Sequence, residues 1–140
     1  MKRIMIVIAV LVLAIGCDPE SPEQGTTDEV GDAEHLYAVL MYAQHCASCS
    51  MLDPTVRAVK GEFEEEITFL RFDMSDEDTK KASQQLAADH ELEELYREHE
   101  NKTGYLIVVS GDGEEELLRL SGEYEEAELR AEFEGQLESR

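Results

Sequence analysis

"YAQHCASCSMLDP", residues 42–54, sets two cysteines, Cys46 and Cys49, three positions apart just after an apolar run. His45 stands before the first cysteine, and Pro54 falls five positions after the second. The run that leads in, "HLYAVLMYA" (35–43), is rich in strand formers and reads as a buried strand. Downstream, over residues 47–63, Met51, Leu52, Val56 and Val59 recur on one side of a helix. Cys46 therefore falls where strand gives way to helix. Unsatisfied N–H groups and the positive end of the helix dipole stabilise a thiolate there. Cys49, one turn on, shares nearly the same face, with Cβ atoms about 5–6 Å apart on an ideal helix. A small adjustment brings that pair to disulfide geometry. The loop so closed is tiny, which suits reversible exchange better than permanent stapling. In such exchange an outer sulfur attacks and an inner one resolves the mixed disulfide.

Two other readings stay open on the residues alone. His45, Cys46 and Cys49, with Met51 nearby, offer soft ligands suited to Cu(I), as in a metallochaperone-type module. Zinc would want a fourth strong ligand, and the sequence shows no second Cys/His cluster. The third reading is a binding module whose cysteines are oxidised and idle. The compartment bears on the choice, and the other end of the chain addresses it.

Lys2 and Arg3 precede an unbroken apolar run, Ile4 to Ile15, too short to span a bilayer as a mature helix. It reads as the hydrophobic region of an export signal. "LAIGC" (13–17) closes it and resembles the lipobox of bacterial lipoproteins, with Ala14 where leucine is more usual. That resemblance implies cleavage before Cys17 and lipid attached to its sulfur and amine. The chain has three cysteines, an odd number for an exported protein. Lipidation of Cys17 leaves Cys46 and Cys49 as the remaining thiols. The expected location is the bacterial cell envelope, lipid-anchored to a membrane and facing the periplasm or the outside, where disulfides persist. An anchor of two or three acyl chains is enough for stable attachment.

Net charge is −21, and loss of Lys2 and Arg3 with the leader makes the chain more acidic still. Such a surface repels phosphate backbones, which argues against nucleic acid as a partner. "DPESPEQGTTDEVGDA" (18–33) holds two prolines, two glycines and a single valine, too little apolar surface to fold on its own. Behaving as a coil, it would reach about 20–25 Å. The expected organisation is a signal peptide over 1–16, the lipidated cysteine and flexible acidic linker over 17–33, and one domain over 34–140.

Within that domain "EITFLRFDM" (66–74) reads as a second strand. "SDEDTKKASQQLAADHELEELYREHE" (75–100) reads as a helix capped by Ser75 and broken near Asp89, or two short helices. Its start carries acids at calcium-loop spacing but lacks the glycine such a loop needs. His90 and His99 read as solvated helix positions, and Tyr42 and Tyr105 as packing residues. "YLIVVS" and "EELLRLS" flank Gly111-Asp112-Gly113, a hairpin signal. Residues 123–137 form an amphipathic helix with Ala127, Leu129, Phe133 and Leu137 on one side. The crossover from the first strand to the second should make them parallel, and the hairpin should join the same sheet. A four-stranded mixed sheet flanked by helices, of the α/β class, follows.

With strand, C-x-x-C at the helix start ("HCASC"), Pro54 and the terminal hairpin with Gly122 in place, residues 35–138 resemble the thioredoxin-like superfamily. The resemblance implies a thioredoxin-like fold and a thiol–disulfide oxidoreductase with Cys46 as nucleophile and Cys49 as resolving thiol. It implies protein thiol or disulfide substrates, a redox partner protein, action as a monomer, and no cofactor beyond the redox-active disulfide. His45, Pro54, Thr103 and Gly104 are the residues expected to modulate the pair. His45 replaces the family's usual tryptophan, Leu40 stands where a buried acid assists proton transfer, and Gly104 takes the place of the cis-proline facing the cysteines. Whether the pair reduces or oxidises its substrates is not written in the sequence.

Overall fold

The computed structural model describes residues 35–140. The expected leader, Cys17 and the acidic linker lie outside the described residues. Strand β1 (Leu36–Tyr42) leads into helix α1 (Ala47–Val59), and strand β2 (Ile67–Asp73) follows. Helices α2 (Glu77–Asp89) and α3 (Glu93–His99) come next, then strands β3 (Tyr105–Ser110) and β4 (Glu116–Ser121), and helix α4 (Glu126–Glu138). One mixed sheet holds the strands in the order β2-β1-β3-β4. β1 runs parallel to β2, with Leu40 opposite Arg71, and antiparallel to β3, with Met41 opposite Tyr105. The β3–β4 hairpin is antiparallel, with an irregularity at Val108/Val109.

Alternation along β1 feeds two cores, one on each face of the sheet. Leu36, Ala38 and Leu40 pack with Leu52, Val56 and Val59 of α1 and with Leu129 and Phe133 of α4. Val39 and Met41 face the other way, onto Phe72, Ala87, Leu92, Leu95 and Tyr96 beside α2 and α3. A central strand buried on both sides has no polar face to spare, which is why "LYAVLMY" reads as a continuous apolar run. The fold is thus the expected α/β sandwich. No helix among the described residues is long and apolar enough to cross a membrane.

Two details differ from expectation. The first helix stops at Val59, and a short 3-10 turn (Lys60–Glu62) replaces its last turn. Asp76 caps α2 in place of Ser75. Its carboxylate accepts from the N–H groups of Asp78 and Thr79, and the Thr79 hydroxyl accepts from the Asp76 N–H in return. A carboxylate one residue closer to the helix satisfies two orphan donors at once, and its negative charge suits the helix start. The break between α2 and α3 falls where expected: α2 ends at Asp89, and Glu91, with a left-handed φ of 58°, turns the chain into α3.

Candidate functional site: a cysteine pair at a strand–helix junction

β1 ends at Tyr42, and a turn closed by the Cys46 N–H donating to the Ala43 carbonyl (3.2 Å) carries the chain into α1. Ser75 steadies that turn by accepting the Gln44 N–H at 2.8 Å. Cys46, with extended backbone, is the N-cap of α1, and its sulfur accepts the Cys49 N–H at 3.2 Å. A sulfur thus does what the oxygen of Ser, Thr or Asp does at most helix starts, meeting a donor the helix itself cannot satisfy. The first turn of α1 contains no acid, so no side chain there opposes negative charge on that sulfur.

Cys46 and Cys49 are joined as a disulfide, with Cα atoms 5.2 Å apart. Their surroundings differ. Cys46 is half-buried at the mouth of the turn, whereas Cys49 is wholly inaccessible at 0% exposure. The Cys49 sulfur lies 3.5 Å from the Met41 carbonyl oxygen. Once reduced, an S–H at Cys49 can donate to that carbonyl, which favours the neutral thiol at the inner position. The helix-capping position favours the thiolate at Cys46. The pair is therefore chemically asymmetric, with a reachable sulfur that is stabilised as anion and a buried one held in reserve.

The loop before β3 forms the opposite wall. Gly104 is buried with a φ of +96°, and its N–H donates to the same Met41 carbonyl at 2.9 Å. A Cβ at Gly104 would stand 3.3 Å from the Cys46 sulfur and 3.4 Å from Ser48 Cβ. Glycine here supplies both the left-handed backbone and the close approach to sulfur. Thr103, half-buried, precedes it. His45 and Pro54 are exposed, and α1 continues through Pro54, which has no N–H for the turn before it. Of the residues singled out from sequence, Cys46, Cys49 and Gly104 thus meet at one point, with Thr103 adjoining in the chain.

Leu40 is buried among Leu52, Val56 and Leu106, in an apolar setting. A buried acid is found on the helix that follows Cys46. Asp53, one turn after Cys49, is buried, ion-paired to Arg57 and 4.0 Å from Arg71. Arg71 in turn lies over the Tyr42 ring at 4.5 Å. The spacing of Cys49, Leu52, Asp53 and Val56, one helical stripe, carried the signal for Asp53's burial. His99 corrects the expectation of a solvated histidine: it is 1% exposed, with Nδ1 hydrogen-bonded to the Tyr105 hydroxyl at 2.9 Å. Leu92, Leu95, Tyr96 and His99 repeat the same stripe, so the pattern placed it on the buried face of α3. His90 is half-buried, edge-on to the Tyr37 ring.

No group of three or more His, Cys, Asp or Glu side chains is arranged to hold a metal among the described residues. A cysteine pair at disulfide distance in this fold needs no cofactor.

A thioredoxin family model matches residues 22–95 of the chain. No curated protein sequence matches it. Among solved structures, thioredoxin from Fasciola hepatica is 24% identical with a TM-score of 0.45, over 73% of this chain and 81% of its own. A structure of a malarial protein is 16% identical with a TM-score of 0.48, over 74% of this chain and 98% of its own. The family match takes in β1, the cysteine turn, α1, β2, α2 and the start of α3, and the chain belongs to the thioredoxin family.

Proposed function

We propose that this protein is a membrane-anchored, extracytoplasmic thiol–disulfide oxidoreductase in which Cys46 attacks and Cys49 resolves. A thioredoxin domain with cysteines at disulfide distance fits that chemistry. The observation that carries the division of labour is the contrast between a half-buried, helix-capping Cys46 and a buried Cys49 beside the Met41 carbonyl. In the reducing direction the Cys46 thiolate attacks one sulfur of a substrate disulfide, forming a mixed disulfide and releasing one substrate thiolate. Cys49 then gives up its proton and attacks the Cys46 sulfur, releasing the second thiolate. Two electrons pass from the Cys46/Cys49 dithiol to the substrate, and a partner dithiol restores them. The oxidising direction is the same sequence in reverse.

Protein thiols are the substrate class that the family suggests. The anchor rests on the lipobox-like "LAIGC" and on the count of cysteines it explains. Replacing Cys49→Ser removes the resolving thiol, so covalent adducts through Cys46 should accumulate in cells and dissolve on reduction. Absence of adducts, with both single mutants behaving as wild type, would sink the exchange reading. The anchor is tested separately: Cys17→Ser should abolish labelling by radioactive fatty acid and release the protein from membranes. Unchanged membrane retention without label would contradict it.

A further inference from the structure

A second concave site lies on the α2/α3 side of the sheet, away from the cysteine chemistry. It is a cavity of about 410 Å³ between α3 and the β3–β4 hairpin. That volume falls within the range of small-ligand sites and is far larger than a single ion requires. Glu94 and Glu98 of α3 line one side, and Asp112, Glu114 and Glu116 of the hairpin line the other, with Leu92 and Leu95 between. Three of these acids are already engaged: Glu94 pairs with Arg97, Glu116 takes a two-pronged hydrogen bond from Arg119 at 2.8 and 2.5 Å, and Asp112 accepts from the Ser110 hydroxyl at 2.5 Å and the Glu114 N–H at 3.0 Å. Glu98, Asp112 and Glu114 have no ion-pair partner among the described residues.

The acids alone would be a solvated surface. What marks a site is His99, which lines the cavity and is 1% exposed. Its Nδ1 is occupied by the Tyr105 hydroxyl, but its Nε2 is buried without a hydrogen-bond partner. Glu116 Oε2 is the near acceptor, at 3.9 Å, too far for a direct bond. A buried polar atom left unmet costs about 1–3 kcal/mol, so such atoms are usually there to meet something. Burial is the main cause holding the imidazole below its ordinary range, and the positive charges of Arg119 and Lys102 act in the same direction against the pull of Glu98 and Glu116. The ring is thus neutral near pH 7. The Nδ1–Tyr105 hydrogen bond can run in either direction; where Nδ1–H is the donor, Nε2 presents a lone pair toward the Glu116 carboxylate.

The geometry points to a binding site for an alkylammonium group, with its –NH₃⁺ head shared by His99 Nε2 and Glu116 Oε2 and its aliphatic stem on Leu92 and Leu95. With the two acceptors 3.9 Å apart, a nitrogen ~2.9 Å from each would stand off the line between them, and the shielded Nε2 comes within its reach as the seam between α3 and the hairpin parts. Its third N–H is left for the Glu98 side. An ammonium has three donors and no acceptor, matching a site made of acceptors. A guanidinium is planar and forked and needs both oxygens of one carboxylate, whereas Glu116 already takes the Arg119 fork and has only a further lone pair on Oε2 to offer a single N–H. The head group has two natural sources, a free aliphatic amine or the lysine side chain of a partner protein. The site stands whether or not the cysteine pair turns over.

The test is titration of the full chain with n-pentylamine, 1,5-diaminopentane and an Nα-acetyl-lysine amide, following the ring signals of His99 by NMR. The site predicts an unprotonated Nε2 in the free protein and a saturable shift of the His99 ring with the amines. Tighter binding of the lysine amide assigns the site to a protein side chain, and tighter binding of the diamine to a free amine; either order supports it. Affinity should fall about tenfold or more in His99→Phe, which removes a hydrogen bond to a charged group. The exposed Glu98→Gln leaves the core intact and should cost a few-fold, so the site remains testable if His99→Phe fails to fold. A proton on Nε2 in the free protein, no saturable shift with any amine, or binding unaffected by Glu98→Gln and His99→Phe would overturn the proposal. Zinc shifting the same ring while the amines do not would overturn it as well.

Discussion

At the scale of single residues, Gly104 is the most informative departure from the family pattern. It does not leave a gap where a proline belongs. Its N–H donates to the Met41 carbonyl, and a Cβ there would make a tight contact with the Cys46 sulfur at 3.3 Å. Proline would lack that N–H and would fix φ near −65°, against the +96° observed. Gly104→Pro, which restores the family's residue by name, is therefore expected to destabilise the domain by about 2–4 kcal/mol in denaturant unfolding. Gly104→Ala should cost about 1–2 kcal/mol, from the left-handed backbone and the contact with sulfur. A proline variant as stable as the native chain would show that this loop adopts another backbone. Leu40 illustrates the opposite case. The sequence showed correctly that no acid occupies that strand position, but not that Asp53, one turn after Cys49 on the helix, is buried.

Element by element, the strands and helices were legible because their apolar periods are strong. β1, buried on both faces, is a continuous run, and Gly111-Asp112-Gly113 marks the hairpin. Polar residues on otherwise apolar stripes were harder to read. Asp53 and His99 each complete an i, i+3, i+4, i+7 set and follow it into the interior, where composition suggests solvent. Asp53 has a local partner in Arg57, one turn on, whereas its second, Arg71 on β2, and the partner of His99, Tyr105 on β3, come from other elements that no local pattern announces. The cap of α2 moved from Ser75 to Asp76 for a similar reason, since Ser75 is drawn to Asp73 and to the Gln44 N–H.

The seam between α3 and the hairpin carries a pH dependence. His99 is buried neutral, and its imidazole titrates below the ordinary histidine value, chiefly through desolvation. The unfolded chain binds a proton more readily, so stability is full above the ordinary value of about 6.5 and is lost as pH falls toward the folded value. Carboxylates held low, Glu116 beside Arg119 among them, contribute loss only at more acid pH. Denaturant midpoints should therefore drop between about pH 7.5 and 5.5, and His99→Gln should flatten that slope. An equal slope in wild type and variant would place the proton uptake elsewhere.

For the molecule as a whole, fold and chemistry converge on one end of the sheet. Met41, the last buried residue of the central strand, offers a single carbonyl to both the inner cysteine and Gly104. That arrangement ties the cysteine turn, α1 and the β3 loop into one rigid corner. The formal charge of −21 over the whole chain disfavours anionic surfaces as partners. Direction of electron flow depends on the relative stability of the reduced pair, with its Cys46 thiolate, and the disulfide.

The most direct measurement is equilibration of the folded protein in dithiol–disulfide buffers of graded potential, with trapping of free thiols. The account predicts one reversible two-electron transition of the Cys46–Cys49 couple, complete without unfolding and absent from either cysteine-to-serine variant. Its midpoint then assigns the direction: near the potential of thioredoxin for a reductant, near that of strong periplasmic oxidants for the reverse. A disulfide that stays closed at every potential until the domain unfolds would contradict the account and leave the pair a structural staple.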